Sequence, residues 1–177
     1  SKRGCMAGMP LADLIYCVAF GKILEEFQKN VESAGHASFI HNADGDPIRV
    51  MDASFFDDDA SPVIAPALKV VAKALKVTEI AYLTFQRFGL DLTFLNGKSE
   101  IVPMFAGEGA NIARRELAAA GNCGTLDLIY TTAIVNFPSA YKHVGSKFTI
   151  ANNSREEVCA RAMYINNGSK SFSRIFR

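Results

Sequence analysis

Three consecutive carboxylates, Asp57, Asp58 and Asp59, follow the aromatic pair Phe55 and Phe56 and precede Ser61, Pro62 and the apolar residues Val63 and Ile64. Adjacent carboxylates raise one another's pKa and repel unless a cation neutralises them. A strand that runs into a tight turn here, then returns as a second strand, would gather their oxygens at one point. Such donors suit a hard divalent ion: Mg²⁺ takes oxygen ligands at about 2.0–2.1 Å, commonly one or two carboxylates completed by waters and substrate phosphates. An acidic, solvated surface turn is the plain alternative. Lys98 is the cation to consider beside them. It follows Asn96 and Gly97, a dipeptide suited to the positive φ angles of a hairpin turn, and as an isolated residue it reads as a solvated hairpin charge.

The elements that must position these residues are marked by period and punctuation. Leu11, Ile15, Val18, Ile23, Phe27 and Val31 recur near the 3.6-residue period, with Pro10 in the first turn and Gly35 as a stop. Gly4 and Gly8 precede this helix, in a loop that lets a ligand approach the backbone closely. A short strand is predicted over 37–41, a turn over 42–46 and a strand over 47–56 that ends at the acidic cluster. The Asp44-x-Asp46 spacing lacks the remaining ligands of a calcium loop and reads as turn chemistry. A second long helix spans 66–88, between Pro66 and Gly89. Its apolar face is wide enough to press on a sheet, and Lys69, Lys73 and Lys76 mark its wet side.

Strands over 90–95 and 98–105 flank the Asn96-Gly97 turn, and a shorter helix over 111–120 is stopped by Gly121. Residues 126–137 are β-rich, and a turn over 141–146 leads into a further strand. Ser154 and Glu157 form a capping box for a last helix, before a polar, basic end. The fold class predicted is α+β: one antiparallel sheet bearing the acidic hairpin, two long helices on one face, and a smaller β/helix extension from about residue 123.

The 177 residues suit one domain or a large part of one, and 49% hydrophobic content supplies a core. The net charge of +1 conceals an uneven distribution. Residues 44–59 hold six Asp and one Arg, a local −5, whereas 141–177 hold seven Lys or Arg and two Glu, a local +5. That pattern fits an anionic ligand held through a cation and by direct basic contacts. Cys5, Cys17, Cys123 and Cys159 lie far apart and read as reduced thiols of an intracellular protein, in nucleus or cytoplasm. Asp13 and Lys22 interrupt the apolar stretch 11–24, so no membrane span is expected.

Taken in order, these pieces carry a resemblance. Gly4, Gly8, Pro10 and Leu11 open the first helix. Phe55, Phe56, Asp57 and Asp58 form an aromatic-x-Asp-Asp turn. Gly89, Leu90, Leu92 and Phe94 lead to Gly97, Lys98, Ser99 and Glu100, and the turn at Tyr141, Lys142, His143, Val144, Gly145 and Ser146 follows. The series resembles the palm of reverse transcriptases, especially those of non-LTR (LINE-like) retrotransposons, over nearly all of residues 2–165. In that family these are motif B, the motif C box, the motif D lysine segment and the approach to the primer grip and thumb.

The resemblance implies an RNA-directed DNA polymerase that adds deoxynucleotides to a DNA primer on an RNA template with two Mg²⁺ (or Mn²⁺) ions. Asp57 and Asp58 are then the metal ligands, and Lys98 serves the departing pyrophosphate. Gly8, Pro10 and Phe55 face nucleotide and template, and Tyr141, His143 and Gly145 the primer. Residues 1–122 correspond to a partial palm and 123–177 to the primer-grip-like hairpin and the start of the thumb. Several positions depart from the family pattern: Ala7 and Met9 replace polar residues, and Phe56 is bulky beside the primer end. Motif A, with its catalytic aspartate, precedes motif B in the family. The chain is therefore expected to be a fragment, inactive alone, whose partners include the fingers and motif A of the same polyprotein. Two other readings stand beside it: a non-catalytic retroelement remnant with weak nucleic-acid binding, and a metal-dependent phosphohydrolase using Asp57 to Asp59.

Overall fold

The computed structural model describes residues 10–55, 58–95, 98–128, 131–143 and 146–149. They form three helices and four antiparallel hairpins: α1 (Pro10–Ser33), β1 (Phe39–His41), β2 (Pro47–Arg49), β3 (Ala53–Phe55), β4 (Asp58–Ala60), α2 (Ala67–Arg87), α3 (Ala110–Ala119), β5 (Cys123–Leu128), β6 (Thr131–Asn136), β7 (Ala140–His143) and β8 (Ser146–Thr149). The fold is therefore mixed α+β. The two long helices, the shorter third and the turn at 42–46 lie where the sequence puts them. The capping box at Ser154 and the helix it would open lie outside the described residues.

All three helices end alike. Gly35, Gly89 and Gly121 each adopt a positive φ, between 73° and 77°. In each case the glycine N–H reaches back three residues and the next N–H five, as in Gly35 N to Glu32 O and His36 N to Val31 O, both 2.9 Å. This is the αL stop that a residue without Cβ adopts at least cost.

The strands depart from expectation. Each pairs within its own hairpin, so the described residues hold four separate two-stranded ladders where one sheet was expected. The strands are three to six residues long; short irregular segments separate the first hairpin from the second and the third from the fourth, while α2 and α3 lie between the second and the third. Residues 90–95 and 98–105 form no ladder either. They form an irregular strap in which Leu90, Leu92 and Phe94 are half-buried and their neighbours exposed. The strap closes on itself through Ser99 N to Thr93 O (2.9 Å) and joins β6 through Ile101 N to Asn136 O (3.1 Å). Pro103, buried within it, has no N–H to give a ladder.

Helix α2 is the spine. Toward its C-terminal half, Val77 and Phe85 pack with Phe20, Ile23 and Phe27 of α1, and Leu90, Leu92 and Val63 close that cluster. Toward its N-terminal half, Ala67, Val70, Val71 and Leu75 meet a second cluster formed by α3 and the β5–β6 hairpin, in which Leu126 and Val135 are wholly buried. Residues on both sides of position 122 thus share one core. Gly124 makes the contact with α2 possible: a Cβ there would stand 2.8 Å from Leu75 Cδ2 and 2.9 Å from Phe137 Cε2. Glu79 adds a polar tie, accepting the Asp127 N–H at 2.9 Å and the Lys76 amine at 2.8 Å.

The α1 stripe is buried only from Phe20 onward; Ile15 and Val18 are exposed, Val18 by 61%. No helix among the described residues is long and apolar enough to cross a membrane.

Candidate functional site

The acidic stretch forms a hairpin. β3 and β4 pair as Ala53↔Ala60, Ser54↔Asp59 and Phe55↔Asp58. Two residues, Phe56 and Asp57, separate the strands, and both lie outside the described residues. Phe55 and Asp58 therefore meet across the last rung before the bend. The strand expected over 47–56 is two strands, β2 and β3, in different hairpins, and Asp58 and Asp59 lie on the returning strand β4.

A polar network lies at the other end of the ladder. Asp52 and Ser61 occupy the positions that follow Ala53↔Ala60, and Ser61 Oγ donates to Asp52 Oδ1 at 2.7 Å. The second Asp52 oxygen accepts Gln28 Nε2 of α1 at 2.9 Å. The same hydroxyl lies 3.3 Å from Asp59 Oδ2. Arg49 of β2 fastens to α1 as well, pairing with Glu32 at 2.8 Å and donating to the Gln28 carbonyl at 3.1 Å. Sequence reasoning passed over Asp52, Ser61 and Gln28. A signal was present: a two-residue turn at 56–57 places 52 opposite 61 by counting alone.

Lys73 is a correction. Its amine is not on a wet face but donates to the Ile64 carbonyl (2.8 Å), the Ala37 carbonyl (3.0 Å) and Ser38 Oγ (3.4 Å). Burial holds its pKa below the ordinary lysine value. Ser38 Oγ also accepts the Ile64 N–H at 3.0 Å. The segment leaving the acidic hairpin is thus sewn to α2 and to the end of α1.

Between α1 and the base of the hairpin is a cavity of about 30 Å³, reached by Gln28, His36, Arg49, Asp52 and Ser61. Small-molecule sites run to roughly 300–1,000 Å³, so this space suits one or two waters and not a nucleotide.

The remaining site residues are spread along the fold. Pro10 begins α1. Lys98 is exposed on the strap, its N–H donating to the Leu95 carbonyl at 3.0 Å. Tyr141 and His143 lie on β7, opposite Phe148 and Ser146 of β8. Gly8, Asp57 and Gly145 lie outside the described residues. Among the described residues, no three His, Cys, Asp or Glu side chains converge as a metal site.

No family model, curated protein or solved structure matches the chain.

Proposed function

We propose that the chain is the palm-like part of an RNA-directed DNA polymerase, contributing the acidic hairpin, the lysine strap and the primer-side hairpin to nucleotidyl transfer. The observation that supports this reading is the antiparallel pairing of Phe55 with Asp58, with Phe56 and Asp57 between them in sequence, on strands whose preceding residue Asp52 is tied to the long helix α1. In this reading Asp57 and Asp58 bind Mg²⁺, with a further carboxylate from the segment that precedes motif B in the family. Ions held there would supply electrostatic stabilisation for an in-line displacement on phosphorus. Lys98 supplies positive charge, and a proton, to the departing pyrophosphate. Tyr141 and His143, with Gly145 and the basic C-terminal residues, hold the primer–template backbone.

The test is primer extension on an RNA template with Mg²⁺ and deoxynucleoside triphosphates, using the chain joined to a motif A segment. Asp57→Ala is expected to lower extension by at least about a hundredfold, the scale for losing one electrostatic stabiliser of a transition state. Equal extension by both proteins would remove Asp57 from the chemistry and sink the proposal.

A further inference from the structure

Residues 61–66 run from β4 to α2 without regular secondary structure, and they form one wall of the cavity between α1 and the base of the hairpin. Ser61, Pro62 and Val63 line it together with Phe27 and Val31 of α1 and Val77 of α2. At about 30 Å³ the closed space holds water and nothing larger. We propose that residues 62–65 are a lid on this cavity, anchored at Ser61 and Pro66 and latched shut by the Lys73 ammonium together with the Ser38 hydroxyl. Such a lid is independent of the polymerase reading.

Both ends of the lid are fixed to the body. Ser61 donates to Asp52 at 2.7 Å, and the Pro66 carbonyl accepts the first free α2 amides, Lys69 N at 2.8 Å and Val70 N at 3.0 Å. Between these anchors the backbone is held at Ile64, and by side chains rather than by a ladder. Lys73 Nζ donates to the Ile64 carbonyl at 2.8 Å and Ser38 Oγ accepts the Ile64 N–H at 3.0 Å. The same ammonium reaches the Ala37 carbonyl at 3.0 Å and Ser38 Oγ at 3.4 Å, so lid and latch meet the segment that follows α1. Val63 adds a half-buried apolar contact with the cluster of α1 and α2. The latch closes the lid without locking it, because all three acceptors of the ammonium are uncharged. A desolvated charge with no opposite charge beside it recovers only part of its lost hydration, and burial accordingly lowers the Lys73 pKa. Lys76, on the same helix, has the Glu79 carboxylate at 2.8 Å instead.

Hydrogen exchange and thiol labelling of the whole chain test the lid. Lys73→Met keeps the side-chain stem and removes the donor. It is expected to speed exchange of the Ile64 N–H about tenfold, the scale of one hydrogen bond made by a charged group. The Val50 N–H, bonded to the Ser38 carbonyl at 2.9 Å, and the amides of α1 and α2 should keep their protection. Val63→Cys puts a thiol on the cavity wall. Its thiolate attacks the sulfenyl sulfur of methyl methanethiosulfonate, forming a mixed disulfide and releasing methanesulfinate. Peptide mass spectrometry separates this site from the native cysteines. Adding Lys73→Met to Val63→Cys should raise the labelling rate about tenfold, as the same bond is lost, and Ser38→Ala should raise it from the other side of the latch. Should Lys73→Met fail to fold, Ser38→Ala decides. Unchanged Ile64 exchange and unchanged labelling overturn the latch. Faster Ile64 exchange with unchanged labelling means a broken bond without an opening, and overturns the lid. Acceleration shared equally by the α1 and α2 amides means global unfolding, and overturns it too.

Discussion

Glu79 and Lys73 sit on the same helix, and each is held by backbone groups from distant segments. The Glu79 side chain is only 11% exposed, and it receives the Asp127 N–H and the Lys76 amine. That hydrogen bond and the accompanying charge attraction raise the Lys76 pKa. Truncation by Glu79→Ala leaves the Asp127 N–H without this acceptor, at a cost of about 1–3 kcal/mol. Glu79→Gln keeps an acceptor oxygen in place, so its loss is expected to be smaller. Urea unfolding of the two variants checks the order; equal losses would point to the charge pair rather than the backbone bond. Little of this is legible in sequence. A lysine at the 73 position reads as a solvated stripe with Lys69 and Lys76, because spacing reports the helix face and not the loops beside it. Its long stem carries the amine past the helix edge to the Ile64 carbonyl, beyond β4, and the Ala37 carbonyl, between α1 and β1.

At the level of elements, punctuation was the most readable signal. Gly35, Gly89 and Gly121 stop their helices because the αL position each supplies is a local requirement, independent of what the helix packs on. Pairing was the least readable. Residues 90–95 alternate apolar and polar as a strand would, and that alternation is real: Leu90, Leu92 and Phe94 face the core. Alternation reports an extended chain with one buried side, not the presence of a neighbour to complete a ladder. That a strand precedes the acidic residues and another returns beside it was legible because the pairing of β3 with β4 is local in sequence, whereas the break between β2 and β3 was not. The Gln28 contact was not, since 24 residues separate it from Asp52. One element-scale contact gives a direct test. Gly124→Ala inserts a Cβ against Leu75 and Phe137 at distances no relaxed side chain tolerates. Overpacking of this kind costs about 1–3 kcal/mol. Pairing it with Leu75→Val, which removes bulk at the contact, should recover part of the loss, and additive losses in thermal unfolding would show the contact to be unimportant.

The molecule as a whole depends on α2 belonging to both clusters. Phe85 lies 6.0 Å from the Phe20 ring and 6.1 Å from the Phe27 ring, at tilted angles that suit aromatic pairs. The other half of the same helix carries Val70, Val71 and Leu75 onto the cluster of α3 and β5–β6. A helix so shared cannot unfold at one end without exposing apolar surface at the other. Phe85→Ala is expected to cost about 3–5 kcal/mol, as deletion of a buried aromatic ring does. Because α2 links the clusters, the loss of protection should appear not only at α1 amides but equally at Leu126 and Val135, which are wholly buried and far from the substituted ring in sequence. Native-state hydrogen exchange measures both sets at once. Faster exchange confined to α1, with β5 and β6 unchanged, would mean two units that open separately. The acidic hairpin would then ride on the less stable of the two, since its tether Gln28 belongs to α1, and any cation held at its bend would stabilise that unit alone.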